Sequence, residues 1–370
     1  MTQRVITTEA LAKLVAEWAK RGAVYAPAKK GTVAERGVSP HPGPGQRQDW
    51  TEFRRVTSLK ETDFSRVNAK QSAKGLLFPQ REVMLRFKDG KSEEPAAPEE
   101  QVILGIRPCD AAALAFQAKF FVGQGEADPY FKARLEKTTL IGLACNTPAE
   151  TCFCSAVGGS PSGTRGLDLL LTDIGGKYLA EPVTDKGAAL IADMPDPAIG
   201  DLEKKRELAE KCAEQMPQTI DTAALKRRLD NGFEHPVWDE LNLACVNCGA
   251  CTFLCPTCHC FDVTDEERKG RGARIRVWDS CQFCIYSQHA SGHNPRQTAR
   301  SRYRNRVMDK FKYTVDMVGE VSCVGCGRCI AECPAGIDVR ETIETLMTRL
   351  PAVGTEDAMQ TANCKMQKSK

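Results

Sequence analysis

Over residues 1–225, short apolar runs alternate with stretches whose apolar positions recur at helical spacing. Runs at 23–26, 53–56, 83–87, 102–106, 140–144 and 169–172 have the length of strands. Residues 111–121 and 130–137 suit helices between them, and residues 1–22 carry a mixed amphipathic pattern that predicts a short helix. Such alternation predicts an α/β sheet, partly parallel. The Pro- and charge-rich segments 39–46 (SPHPGPGQ) and 91–100 (KSEEPAAPEE) read as exposed loops. So does the Gly-rich stretch 158–166, which lacks the strand and helix that a nucleotide-binding fingerprint requires. From 201 to 241 the pattern turns helical and highly charged, as in a bridge to a second domain. The expected organisation is an N-terminal α/β domain (1–225), a helix-rich, ferredoxin-like C-terminal domain (226–350) with a long insert at 256–322, and a polar tail (351–370). In fold class this is α+β or α/β.

The C-terminal domain is marked by an internal repeat. Cys245-Val-Asn-Cys248-Gly-Ala-Cys251-Thr-Phe-Leu-Cys255-Pro256 recurs as Cys323-Val-Gly-Cys326-Gly-Arg-Cys329-Ile-Ala-Glu-Cys333-Pro334. Three cysteines spaced by two residues let a tight loop wrap three corners of a cubane, and the Gly after the second helps the backbone turn. The fourth cysteine, followed by Pro, ligates the other cluster in two-cluster ferredoxins. The pattern therefore predicts two 4Fe–4S clusters, one on Cys245, Cys248, Cys251 and Cys333, the other on Cys323, Cys326, Cys329 and Cys255. A structural zinc site has no need of the third cysteine.

The insert carries Cys258, Cys260, Cys281 and Cys284, a C-x-C and a C-x-x-C that either form a further metal site or pack beside the clusters. It is also rich in cations: Arg268, Lys269, Arg271, Arg274, Arg276, Arg296, Arg300, Arg302, Arg304 and Arg306. These read as a solvated face, a docking surface for an acidic partner, or charges that balance anionic clusters. His289 and His293 suit hydrogen-bonding roles. In the N-terminal domain, Cys109 and Cys145 each follow a predicted strand, where open α/β sheets place ligands, and Cys152 and Cys154 follow shortly. These four either hold a third cluster, line a flavin or partner surface, or simply pack. Cys212 and Cys364 stand alone.

Composition narrows the setting. With 370 residues, 42% hydrophobic and 27% charged, the chain reads as a soluble globular protein of more than one domain. Its 18 cysteines, in a chain without an export signal or an apolar run that spans a bilayer, read as reduced thiols and metal ligands in a cytoplasmic protein. A net charge of +3 and sparse aromatics argue against nucleic acid as a partner.

Through CPTCHCFDV (255–263), RVWDSCQFC (276–284), GHNPR (292–296), GIRPCDAAAL (105–114), DPYF (128–131) and CNTPAETCFC (145–154), the chain resembles a group of 4Fe–4S dicluster proteins. These are the β subunits of cytoplasmic sulfhydrogenases and the A subunit of anaerobic sulfite reductase. The resemblance covers about residues 100–335. It implies an electron-transfer subunit without a substrate site of its own. Such a subunit bridges a partner that carries flavin and oxidises NAD(P)H and a terminal reductase, hydrogenase or heterodisulfide-reductase-like module. Two alternatives belong to other classes: a flavin-binding oxidoreductase subunit whose N-terminal domain does its own chemistry, and a regulatory sensor of redox state.

Overall fold

The computed structural model describes residues 2–29, 50–123, 125–217 and 219–352. The loop expected at 39–46, most of the polar tail and Cys364 lie outside them. The chain forms two bodies, one built from Met1–Gln218, Phe261–Trp278 and Val324–Gly327, the other from Thr219–Cys260, Asp279–Cys323 and Arg328–Lys370.

The first body contains strands β1 (Arg4–Thr7), β2 (Ala23–Lys29), β3 (Thr51–Arg55), β4 (Arg81–Lys88), β5 (Lys91–Glu93), β6 (Gln101–Ile106), β7 (Thr138–Leu143), β8 (Leu169–Asp173), β9 (Lys177–Pro182), β10 (Phe261–Arg268) and β11 (Arg271–Trp278). Its helices are α1 (Thr8–Arg21), α2 (Lys74–Leu77), α3 (Pro108–Phe121), α4 (Pro129–Glu136), α5 (Asp185–Leu190) and α6 (Ile199–Glu214). Seven strands form one sheet in the order β1-β9-β8-β7-β6-β2-β3. Its centre, β2, β6, β7 and β8, is parallel, and antiparallel partners flank it on both sides.

A parallel centre must be covered on both faces, and the sequence provides for that. Leu104, Ile141, Leu143, Leu169 and Leu171 point to one face, where they join Leu11, Val15 and Trp18 of α1. Their neighbours Ile103, Leu140 and Leu170 point to the other, against Ala111, Leu114 and Phe121 of α3 and Phe131 of α4. The amphipathic N-terminus thus forms a helix, but only from Thr8. Residues 4–7 instead pair with β9 as an edge strand. Thr7 ends that strand and caps the helix, its side chain accepting from the Ala10 N–H at 3.2 Å.

The remaining strands make a four-stranded antiparallel sheet, β10-β11-β4-β5. Two expectations change here. The first residues of the loop expected at 91–100 are β5, since they continue the hairpin that turns at Asp89 and Gly90. The strand-like run at 83–87 belongs to this second sheet and not to the α/β sheet. The arginine-rich part of the insert, expected with the C-terminal domain, is a hairpin that pairs with β4 of the first body.

The second body is helical: α7 (Thr222–Asn231), α8 (Val237–Leu241), α9 (Ala250–Phe253), α10 (Ala299–Met308), α11 (Thr314–Val318), α12 (Arg328–Ala331) and α13 (Val339–Arg349). A five-residue π-turn at Asp309–Tyr313 joins α10 to α11, so the two run as one helix with a widened turn in its middle. Leu225, Leu229, Trp238, Val307, Met308, Phe311, Ile343 and Leu346 are among its buried apolar residues.

Candidate metal centres

The first cysteine loop leaves α8 and turns through two left-handed residues, Asn247 (φ +54°) and Gly249 (φ +76°), before entering α9. Asn247 suits this backbone, and its amide locks the loop by donating to Cys245 O at 3.1 Å. Cys245, Cys248 and Cys251 then line one recess of about 610 Å³ together with Cys329 and Cys333. The walls are mostly apolar, with Val246, Val307, Pro334, Ile337 and Val339, while Gln282, Tyr303 and Arg306 supply the polar groups. The Ile337 N–H donates to Cys333 Sγ at 3.3 Å. Burial pushes the Cys245 and Cys251 thiols up, as it disfavours any charge that lacks a partner.

Beside this recess two cations come to the thiols from one helix. Arg306, in the last turn of α10, reaches Cys258 Sγ at 3.7 Å. Lys310, one turn later in the widened segment, is 4% exposed and donates to Thr257 Oγ1 at 3.1 Å. That hydroxyl is in turn 3.2 Å from Cys255 Sγ. Burial works against both charges, but the neighbouring thiolates outweigh it. Cys251, Cys258, Cys329 and Cys255 hold Arg306 well above its ordinary range, and Cys255 and Cys258 do the same for Lys310. Cys255 and Cys258 share a hydrogen bond that lowers the first thiol and raises the second.

Of the insert cysteines, Cys260 lies against Cys281. Hydrogen bonds from Cys281 and then Tyr286 bring Cys260 down to about 6, although burial opposes them. The structure turns Cys258 towards Cys255 and leaves Cys284 exposed, so the four insert thiols are not gathered into one site. His289 and His293 stack edge to face, 5.4 Å apart, with a backbone hydrogen bond between them. Four cations of the insert have acidic partners within their own bodies. Arg276 is buried with Glu82 and Asp128, Arg274 pairs with Asp265, and Arg300 and Arg304 meet Glu234.

In the first body, Cys109, Cys145, Cys152 and Cys154 line a second recess, of about 320 Å³. Cys109 sits in the first turn of α3 just after β6, and Cys145 just after β7, at the carboxyl ends of neighbouring parallel strands as expected. Cys326 of the second cysteine loop lines the same recess. Cys212, on α6, also lies within electrostatic range of Cys145, Cys152 and Cys154. Burial and those neighbours push Cys154 up to about 12 and Cys212 up to about 11. Cys212 has no cysteine near it in sequence, so no local spacing could have signalled it. Among the described residues, no three His, Cys, Asp or Glu side chains converge as a single metal ion requires.

Two compact thiol-lined recesses, one of them walled by both cysteine loops, offer the all-thiol donor sets that iron–sulfur clusters take. Residues 244–337 match the family model of the 4Fe–4S dicluster domain. The chain is also 29% identical over 301 residues to sulfhydrogenase 2 subunit beta of Pyrococcus furiosus, covering 80% of this chain and 89% of that protein. The chain is therefore an iron–sulfur electron-transfer protein with a 4Fe–4S dicluster domain, related to a hydrogenase β subunit. No solved structure matches it. No helix among the described residues is long and apolar enough to cross a membrane.

Proposed function

We propose that the chain relays single electrons between an NAD(P)H-oxidising flavin subunit and a terminal reductase or hydrogenase module in a cytoplasmic complex. One 4Fe–4S cluster would be held by Cys245, Cys248, Cys251 and Cys333, the other by Cys323, Cys326, Cys329 and Cys255. The observation that carries this reading is the larger recess. Three thiols of one cysteine loop and the fourth thiol of the other face a single cavity, as crossed ligation requires, with Cys329 of the second set also at its wall. The donor set fits the group: the ligands are all thiols, the walls apolar, an amide donates to one sulfur, and two cations offset the negative charge.

A 4Fe–4S cluster supplies one-electron chemistry at a potential set by net charge, hydrogen bonds to sulfur and solvent exposure. The residues of this chain would set those three. Arg306 and Lys310 supply charge, Ile337 supplies a hydrogen bond, and the apolar rim keeps water away. The pyrococcal relative is named as a sulfhydrogenase subunit, which favours a hydrogenase-like complex for this chain as well.

The test is metal and sulfide analysis of the anaerobically purified full chain, with electron paramagnetic resonance of the reduced form. The expected result is at least about eight iron per chain and spectra of reduced cubanes, with no flavin. Zinc with little iron would overturn the assignment. Tightly bound flavin with NAD(P)H oxidation by the isolated chain would replace the relay with an enzyme.

A further inference from the structure

We infer that the first body holds a further 4Fe–4S cluster of its own, ligated by Cys109, Cys145, Cys152 and Cys154. This extends the relay reading, but it stands on separate residues. Four thiols arrive at one recess on three segments: the first turn of α3, the end of β7, and the loop Cys152–Cys154. A cubane needs such convergence, because its four corners cannot all be reached from one short extended segment. No sequence repeat marks these cysteines, and only the topology of the parallel sheet brings them together.

The surroundings suit a buried anionic group. Arg107, the residue before α3, is 9% exposed, and its guanidinium lies beside Cys145. Five main-chain carbonyls hold it rigid: Phe64 at 3.4 Å, Arg66 at 2.9 Å, Val67 at 2.5 Å, Leu143 at 3.3 Å and Ala144 at 3.0 Å. Carbonyls satisfy its donors without cancelling its charge. A fixed cation is thereby held beside the Cys145 thiol, behind the recess lining. The first turn of α3 adds its oriented amide dipoles on the Cys109 side.

The same recess is continuous with the dicluster domain. Phe153 N–H donates to Gly325 O at 2.8 Å, and the Asn68 amide donates to Cys326 O at 3.0 Å. Gly325 and Gly327 both have left-handed backbone, with φ of +62° and +74°. A Cβ on Gly325 would lie 2.4 Å from Phe153 O, and one on Gly327 would lie 2.2 Å from Thr151 O. Main chain therefore meets main chain, and Cys326 faces the cavity that Cys152 and Cys154 line.

The experiment compares iron and acid-labile sulfide in the anaerobically purified full chain with those in the variant Cys145→Ala/Cys154→Ala. The expected values are about twelve iron per chain, falling to about eight in the variant, with one fewer reduced-cluster spin. Cys212→Ser, which changes a neighbour outside the recess lining, should leave the count unchanged. If the double variant does not fold, the single variant Cys109→Ser is read in the same way. Equal iron in wild type and recess variants overturns the inference and leaves the two-cluster relay standing. Loss of the ferredoxin-type clusters is scored separately by Cys248→Ser, whose iron loss must add to that of the recess variant.

Discussion

Arg306 and Lys310 sit where a fixed positive charge has most leverage on a thiolate-bound group. A unit charge about 6 Å away, at an effective dielectric constant of about 20, interacts by roughly 3 kcal/mol, which corresponds to on the order of 100 mV for one electron. Arg306→Gln and Lys310→Met should each lower a midpoint potential by about that amount while iron content stays constant. Potentiometric titration followed by electron paramagnetic resonance measures both quantities. At the other pole are the paired loop positions Asn247 and Gly325, both left-handed. Asn247→Gly keeps the backbone unstrained and should cost only the roughly 0.5–1.5 kcal/mol of the hydrogen bond its amide makes to Cys245 O. Gly325→Asn should destabilise by more than the roughly 1–2 kcal/mol of left-handed backbone alone, because its Cβ would meet Phe153 O. Denaturant unfolding of the two variants compares them. The ferredoxin-type cysteines were legible at this scale because their spacing is local. Cys212 was not, since its proximity to Cys145 and Cys152 arises only when α6 folds back beside them.

Among the elements, the hairpin β10–β11 escaped the sequence reading. Its arginines suggested a charged surface, and Arg268, Arg271 and Arg274 are exposed, but Arg276 is buried beyond the register shift at Arg274/Ile275. Arg276 faces Glu82 in the register of β11 against β4, and their side chains are 2% and 1% exposed. Asp128 completes the pair from the cap of α4, and Arg134 shares Glu82. Removing Arg276 leaves Glu82 with Arg134 alone and takes the guanidinium from Asp128, so Arg276→Met should cost up to about 3–5 kcal/mol. Hydrogen exchange of the β4 and β11 amides reads that loss locally. The helices α7 and α11 are joined by a different kind of network, in which Lys226 and Lys312 each bridge Asp230 and Asp316 near the surface. Hydrogen bonds from Lys312 and Lys226 hold Asp316 below the usual carboxylate range, and those lysines do the same for Asp230 against the opposing effect of burial. A depressed folded-state value means the contribution is complete above about pH 4 and lost as pH falls through that lower value. Protection of the α7 and α11 amides, taken relative to the intrinsic exchange rate at each pH, should therefore fall on going from pH 5 to pH 3. Asp316→Asn should blunt that dependence. The strands and helices of the central sheet were legible because buried parallel strands write themselves as apolar runs. The N-terminal edge strand was hidden, since β1 and α1 share one amphipathic stretch.

For the molecule as a whole, the chain crosses between its two bodies more often than the sequence suggested. A single boundary near residue 225 was expected, whereas residues 261–278 and 324–327 return to the first body. Both returns depend on partners remote in sequence, a strand edge and a cysteine loop, which no local pattern encodes.

The pairing of β4 with β11 also sets a timetable for synthesis. Glu82 and Arg276 are 194 residues apart. At about 5–20 residues per second, β4 waits on the order of ten to forty seconds at the ribosome for its partner. During that interval its outer edge is an open template for any passing strand. Arg86 and Lys88, exposed or half-exposed along β4, place charge on that edge before β11 arrives. Side chains that make little difference to the finished protein thereby guard the nascent one against pairing with its neighbours.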